Sequence, residues 1–287
     1  MPLSFKNLTF IIVTFKSEHI IHECLNSLPV DSRIIVIENS GDEKFKINLE
    51  KTYPKIKVII QENKGMGSAN NIGIKLCDTD YAFIINPDVK FDTNCIQKII
   101  NFSIKKDDYS ILAPISDNVN YPNYRINNKD VINSELEYIS VDSVDGFAML
   151  IDKRKFKDNI YFDENFFLYL ENDDLCLRKK NEGKNIYLLK TAKINHLGGK
   201  SPSIMFENEI EYCRNWHWMW SKFYFNRKHY GYMNAFFKTI LTLISAKIKF
   251  MYYLLTFNEH KRKIYKMRFL GLINSMLGKK SWYRPKI

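Results

Sequence analysis

Three carboxylates fall within four positions of the stretch FFLYLENDDLCLRKK, residues 166–180: Glu171, Asp173 and Asp174. Acids at the start of a helix cap it and meet its dipole, for typically ~0.3–1 kcal/mol each. That accounts for Asp173 and Asp174 if the helix is capped by Asn172 or Asp173 and ends near Gly183. Glu171 then lies before the helix, at the end of an aromatic run. A glutamate held there can take a proton from an incoming hydroxyl as a general base.

Four further stretches carry groups able to do chemistry. NPDV, residues 86–89, follows the apolar run YAFII, which puts Asp88 at the carboxyl end of a strand. A carboxylate in such a turn can hold a divalent cation that bridges a diphosphate, although a plain Pro-Asp turn also accounts for these four residues. His196 opens HLGGKS and can ligate a metal or touch phosphate, or serve structure alone. This is not a Walker loop, because GxxxxGK would need glycine where Ile194 stands. ENKGMGSANNIGI, residues 62–74, gives a loop opening a helix: Gly65 and Gly67 allow close backbone approach, and Asn63, Asn70 and Asn71 supply hydrogen bonds. That combination suits a nucleotide, without the GxGxxG spacing of dinucleotide folds. Glu38, at the end of RIIVIE, can accept hydrogen bonds from a base or ribose, or be an exposed strand-end acid.

The elements that must position these groups alternate. Strands are expected over residues 8–15, 33–38, 57–61, 81–85, 144–151, 185–189 and 193–196, and helices over 17–28 and 70–76. Continuous apolar strands alternating with helices predict an α/β fold with a mostly parallel sheet covered on both faces. Ligands of such sheets bind at the carboxyl ends of the strands, where the loops TFKSE, ENSGD, ENKGMGSANN and NPDV gather. The polar, Asn- and Tyr-rich residues 111–133 are expected to form a surface excursion.

Beyond about residue 205 the character changes. Residues 200–287 hold 17 Lys and Arg against 4 Asp and Glu, more than the whole chain's net charge of +11. Three of the four tryptophans lie in a helical stretch, 207–225. Residues 232–257 are strongly apolar but interrupted by Lys238, Lys247 and Lys249. A spanning helix needs ~20 mostly apolar residues, and a central lysine costs several kcal/mol. Amphipathic helices on an anionic surface, flanked by KRKIYKMR, fit better, and a helix packed on the body is the alternative. Five scattered cysteines without CxxC spacing predict a reducing compartment and no structural zinc, and no signal peptide is expected ahead of the first strand.

Taken in order, IIVTFKSEHIIHECLNSL, VIENSGD, ENKGMGSANNIGI, YAFIINPDV, DGFAMLIDKRKF, FDENFFLYLENDDLCLR and NHLGGKS resemble the family 2 glycosyltransferases, especially the rhamnosyltransferase-like branch of bacterial surface polysaccharide synthesis. The resemblance covers residues 8 to about 203. It implies a GT-A type fold over residues 1–204, while the charge and apolar pattern of 205–287 predict a membrane-associating or dimerising helical region. It implies inverting sugar transfer from a nucleotide-diphospho-sugar and a Mg²⁺ or Mn²⁺ ion. Asn86 and Asp88 match the family's DxD motif, and His196 a histidine that often joins the metal or diphosphate site. Thr14, Phe15, Glu38, Asn63 and Asn71 match nucleotide-side positions, with Gly65 in the same loop, and Asp145 and Gly146 lie on the acceptor side.

Glu171, Asn172 and Asp174 match the acidic motif ED-x-D, with Asn172 where many members have Asp. The base then falls to Glu171, and Asp174, the other residue expected at the catalytic site, supports it or caps the helix. The expected acceptor is a lipid-linked oligosaccharide of O-antigen or capsule synthesis. The expected location is the cytoplasmic face of the cell membrane, peripherally bound. The main rival is a non-catalytic sugar-nucleotide-binding scaffold, whose sequence support is Asn172. A nucleic-acid-binding tail is disfavoured, since its lysines interrupt apolar helical stretches and no motif is recognisable.

Overall fold

The computed structural model describes residues 2–118, 122–126, 135–156, 159–197 and 206–286. The chain divides into two compact units. One comprises Met1–Asp163 with Asn172–Ser203, the other Glu164–Glu171 with Ile204–Ile287.

The first unit begins with β1 (Leu8–Thr14), α1 (Ile21–Asn26), β2 (Arg33–Glu38), α2 (Glu43–Thr52), β3 (Ile56–Ile60), α3 (Met66–Leu76) and β4 (Tyr81–Ile85). All seven residues of β1 are buried, as expected for a strand covered on both faces. Phe10 and Ile12 enter one apolar core while Ile11 and Val13 enter the other, the two-residue alternation of a strand. β5 (Val89–Phe91), α4 (Cys95–Lys105), β6 (Tyr109–Ser116), β7 (Tyr124–Arg125), β8 (Tyr138–Ser140), β9 (Ser143–Val144), β10 (Ala148–Asp152), α5 (Glu171–Asn181) and β11 (Asn185–His196) follow. Among the described residues the main sheet has nine strands, ordered β3-β2-β1-β4-β10-β6-β11-β5, with β8 also on β11. The β3-β2-β1-β4 half is parallel. β10 then runs antiparallel to both β4 and β6, and β11 parallel to β6.

Several expectations change here. Residues 111–116 are not a surface excursion but most of the buried strand β6. Its apolar residues were masked in the sequence by the polar stretch after it, of which 119–121 and 127–134 lie outside the described residues. The helix expected over 17–28 is confined to α1, and α2 and α4 were not anticipated. The strand expected over 144–151 is two strands, parted by residues 145–147. The two strands expected at 185–196 are one, with register shifts in its pairing to β6. α5 begins at Glu171 itself, so neither Asn172 nor Asp173 is its cap.

The second unit contains α6 (Glu207–Tyr230), α7 (Tyr232–Leu255) and α8 (Glu259–Met276). α6 and α8 approach closely at Gly271, where any Cβ would run into the backbone of Trp216. The aromatic segment 164–171 packs within this unit. Phe166 meets Trp220 and Tyr224 edge-on at 6.5 and 4.9 Å between centroids, and Phe167 lies 4.5 Å from the His217 ring.

Candidate active site

The first unit assembles two neighbourhoods from the predicted residues. One surrounds the turn after β4. Asn86 donates its backbone N–H to the Phe147 carbonyl at 2.9 Å, and Leu197 donates to the Asp88 carbonyl at 3.1 Å. These bonds fix the turn between the segments that carry Gly146 and His196. Asp88 is buried, and its Oδ1 accepts no hydrogen bond while lying 3.4 Å from His196 Nε2. The His196 ring stacks on Phe147 at 3.8 Å and 18°, which fixes its plane. A buried carboxylate oxygen without a donor, facing an imidazole nitrogen, is a donor set that fits a divalent cation. Among the described residues no group of three His, Cys, Asp or Glu side chains is placed to hold a metal ion by itself. Oxygens of a bound diphosphate or of water would have to complete the coordination shell.

Asp145 extends this neighbourhood. Burial raises its carboxyl above the ordinary range, Arg125 pulls it back, Asp173 raises it, and His196 lowers it. Arg125, on β7, donates to Asp173 at 2.6 Å and reaches Ser143 at 3.3 Å and Asp145 at 3.5 Å. Ser143 also donates to Asp173 at 2.8 Å. Arg125 was missed in the sequence. Its signal was a cation inside YPNYRINN, and what makes it part of the site is the pairing of β7 with β9.

The acidic motif separates by role. Asn172 is buried and donates its amide N–H to the Val144 carbonyl at 2.8 Å, a bond that a carboxylate cannot make. A Cβ on Gly146 would only touch Asn172 at 3.6 Å. Asp174, expected among the catalytic residues, has no exposed surface and accepts from Arg178 Nε at 2.9 Å. Arg178 in turn donates to the carbonyls of Ile160 and Tyr161. Through Arg178, Asp174 thus helps hold the 160–161 backbone. Glu171 is the first residue of α5, where the positive end of the helix dipole favours a carboxylate. Immediately before it, Tyr169 and Leu170 both adopt left-handed backbone, φ 71° and 66°. Two consecutive non-glycine residues in that region store strain that surrounding contacts must hold. Those contacts come from the second unit. Ser221 donates to the Leu168 carbonyl at 2.8 Å, Ser281 to the Asn165 carbonyl at 2.6 Å, and Tyr169 meets Trp218 edge-on at 5.5 Å. Burial lifts the Tyr169 hydroxyl to about 12, with Arg214 opposing and Glu171 adding to the rise.

The second neighbourhood lies at the carboxyl ends of β1 to β3. Thr14 is buried at the end of β1, and its carbonyl accepts from Asn39 N at 2.9 Å. Phe15 follows, half-buried, its N–H bonded to Ser17 Oγ at 3.2 Å. Glu38 is buried rather than an exposed strand-end acid. Its carboxylate accepts from the Ser40 backbone at 2.9 Å and the Asp42 backbone at 3.0 Å, so it shapes the loop ENSGD. Asn63 accepts from Gly65 N at 3.2 Å, and Gly65, at φ 102°, takes a backbone form that L side chains avoid as α3 begins. Asn71, expected on the nucleotide side, is buried and bonded to the backbone of Phe162. Its amide donates to the Phe162 carbonyl and accepts from the Phe162 N–H, both at 2.9 Å, which ties α3 to that segment. The glycines and lysine of HLGGKS lie outside the described residues.

The glycosyl transferase family 2 model matches residues 9–174, which include the β4 turn and the whole acidic motif. The chain belongs to glycosyl transferase family 2. This family 2 chain is 24% identical over 208 residues to the "Low-salt glycan biosynthesis hexosyltransferase Agl10" of Haloferax volcanii, covering 63% of this chain and 64% of that protein. Among solved structures it is similar to the mannosyltransferase PcManGT from Pyrobaculum calidifontis, in complex with GDP-Man and Mn²⁺. That likeness has a TM-score of 0.57 at 10% identity, covering 96% of this chain and 88% of that one. It is also similar to GalNAc-T7 with UDP, GalNAc and Mn²⁺, with a TM-score of 0.55 at 12% identity, covering 67% of this chain and 44% of that one. These likenesses fix the fold as GT-A, with a curled, mixed central sheet flanked by helices.

Proposed function

We propose that the protein is a metal-dependent, inverting hexosyltransferase that moves a sugar from a nucleotide-diphospho-sugar to a hydroxyl of a lipid-linked oligosaccharide. The observation that carries this reading is the Asp88–His196 pair, with a buried carboxylate oxygen free to take a cation 3.4 Å from an imidazole nitrogen. Asp88 and His196 would hold a Mg²⁺ or Mn²⁺ ion, whose Lewis acidity stabilises the departing diphosphate. The loops at Thr14, Phe15, Glu38, Asn63 and Gly65 hold the nucleotide, with Asn86 at the diphosphate. Asp145 and Gly146 border the acceptor.

Glu171 accepts the proton of the acceptor hydroxyl. The oxygen forms its bond to the anomeric carbon as the bond to the diphosphate breaks, and the electron pair leaves with the nucleoside diphosphate. Orientation of the two reactants can supply up to ~7–11 kcal/mol of the barrier. The hexosyltransferase name and the Mn²⁺ in the relatives support this class of donor and cofactor. The scaffold alternative drew on Asn172, and its bond to the Val144 carbonyl supplies a structural reason for asparagine there. The test is release of nucleoside diphosphate from UDP-, GDP- and dTDP-sugars, dTDP-rhamnose included, with a membrane-lipid acceptor fraction. Glu171→Gln should lose on the order of 100-fold or more in turnover while binding nucleotide normally. Undiminished turnover in that variant would contradict the base assignment.

A further inference from the structure

α7 presents a continuous apolar stripe. Phe237, Leu241, Ile244, Ile248, Met251 and Leu255 recur at intervals of four and three residues, and all are exposed, from 46% to 76%. That spacing puts them on one face of the helix. The opposite face supplies Ala235, Thr239 and Ala246, which are buried within the helical unit. The stripe is therefore the outer surface of a helix already packed on its other side. A helix of this length is about 36 Å long. Among the described residues no helix is long and apolar enough to cross a membrane.

The charges beside the stripe select its occupant. α7 carries Lys238, Lys247 and Lys249 and no acidic residue, and residues 232–268 together hold eight Lys and Arg against the single acid Glu259. Lys238 and Lys249 extend over the rings of Tyr230 and Tyr265 at 4.5 and 5.3 Å, so their stems cover apolar surface while the ammonium groups stay at its border. Two copies of α7 face to face would set lysine against lysine with almost no acid within the segment to answer them. A nucleic acid would answer the lysines but leave the stripe in water. An anionic bilayer surface answers both, taking the apolar side chains below its headgroups and the ammonium groups among its phosphates.

We infer that α7 lies in the plane of an anionic membrane, seated by Leu241, Ile244 and Ile248 and held by Lys238, Lys247 and Lys249. This deepens the lipid-linked acceptor reading above by naming the surface that meets the lipid. It is tested with the full chain and vesicles of phosphatidylcholine, with and without phosphatidylglycerol, by flotation at low and high salt. The wild type should float with the anionic vesicles and be partly released by salt. Replacing the three lysines with glutamine should weaken binding on the order of 100-fold, since each contributes about a fivefold factor near such a surface. Leu241→Asp with Ile248→Asp should abolish flotation while nucleotide binding, read by calorimetry, is unchanged. Equal binding to neutral and anionic vesicles would overturn the inference. So would absence of flotation, or a concentration-dependent dimer that the aspartate pair dissolves. Flotation without sugar transfer would leave this surface standing and remove the transferase reading; transfer to a water-soluble acceptor without flotation would do the reverse.

Discussion

At the scale of single residues, two side chains carry charges or dipoles whose replacement gives a signed result. His217 is wholly buried in the helical unit, donates from Nε2 to the Tyr283 carbonyl at 2.8 Å, and is lowered by burial to about 3. The unfolded chain protonates this imidazole near its ordinary ~6.5, while the folded chain keeps it neutral until far lower pH. Stability should therefore fall as pH drops through 6.5 toward 3, by about 2 kcal/mol at pH 5 from this group alone. His217→Gln should flatten that dependence in urea melts at pH 7 and 5. Asn172→Asp makes the second test. It removes the donor to the Val144 carbonyl and buries a carboxylate against that oxygen, so it should cost roughly 1–3 kcal/mol and leave turnover no higher. A variant with raised turnover would move the base from Glu171 to position 172. The family's acidic motif was legible in the sequence, but the division of labour within it was not. The pairing of Asp174 with Arg178 and the two bonds of Asn71 to Phe162 join residues far apart in the chain or across a helix turn, and no motif announces them.

At the scale of elements, the parallel half of the sheet was legible because β1, β2 and β4 are apolar runs bounded by turn residues. β6 was not, because its apolar residues run directly into a polar stretch. Nor was β7, two residues long, whose pairing with β9 brings Arg125 to Asp173 and Asp145. The least legible element is the segment before α5. In the sequence it is only an aromatic run, and it is held by α6 and by residues 279–284 near the C-terminus. Arg284 lies 3.8 Å over the Phe167 ring, Trp220 donates to the Lys279 carbonyl at 2.9 Å, and Ser281 bonds the Asn165 carbonyl. These contacts hold the left-handed Tyr169 and Leu170 that set the direction of Glu171. Ser281→Ala with Arg284→Ala should therefore lower kcat about tenfold or more while donor KM stays within twofold, because a misplaced catalytic group loses rate before binding. Equal losses in nucleotide affinity and kcat would mean that residues 279–284 only support folding. Gly271→Leu, which would collide with the Trp216 backbone, should destabilise the α6–α8 pair by roughly 1–3 kcal/mol in thermal melts.

At the scale of the whole molecule, the first unit carries Asp88, His196 and the loops at Thr14, Glu38 and Gly65, and the second unit carries most of the net positive charge. A chain truncated after residue 203 would leave Phe166 and Phe167 without α6, and it should bind a hydrophobic dye and unfold without a sharp transition. A cooperative, dye-free fragment would contradict the assignment of 164–171 to the helical unit. The account rests most directly on the Asp88–His196 pair as the seat of a metal that holds a nucleoside diphosphate. Titrating the purified chain calorimetrically with UDP, GDP, dTDP and CDP in Mn²⁺, then in EDTA, and repeating it with Asp88→Asn, tests this. Tight binding of one nucleotide, lost both in EDTA and in the variant, is the predicted result. Binding that survives EDTA and Asp88→Asn, or no binding of any of the four, would contradict it.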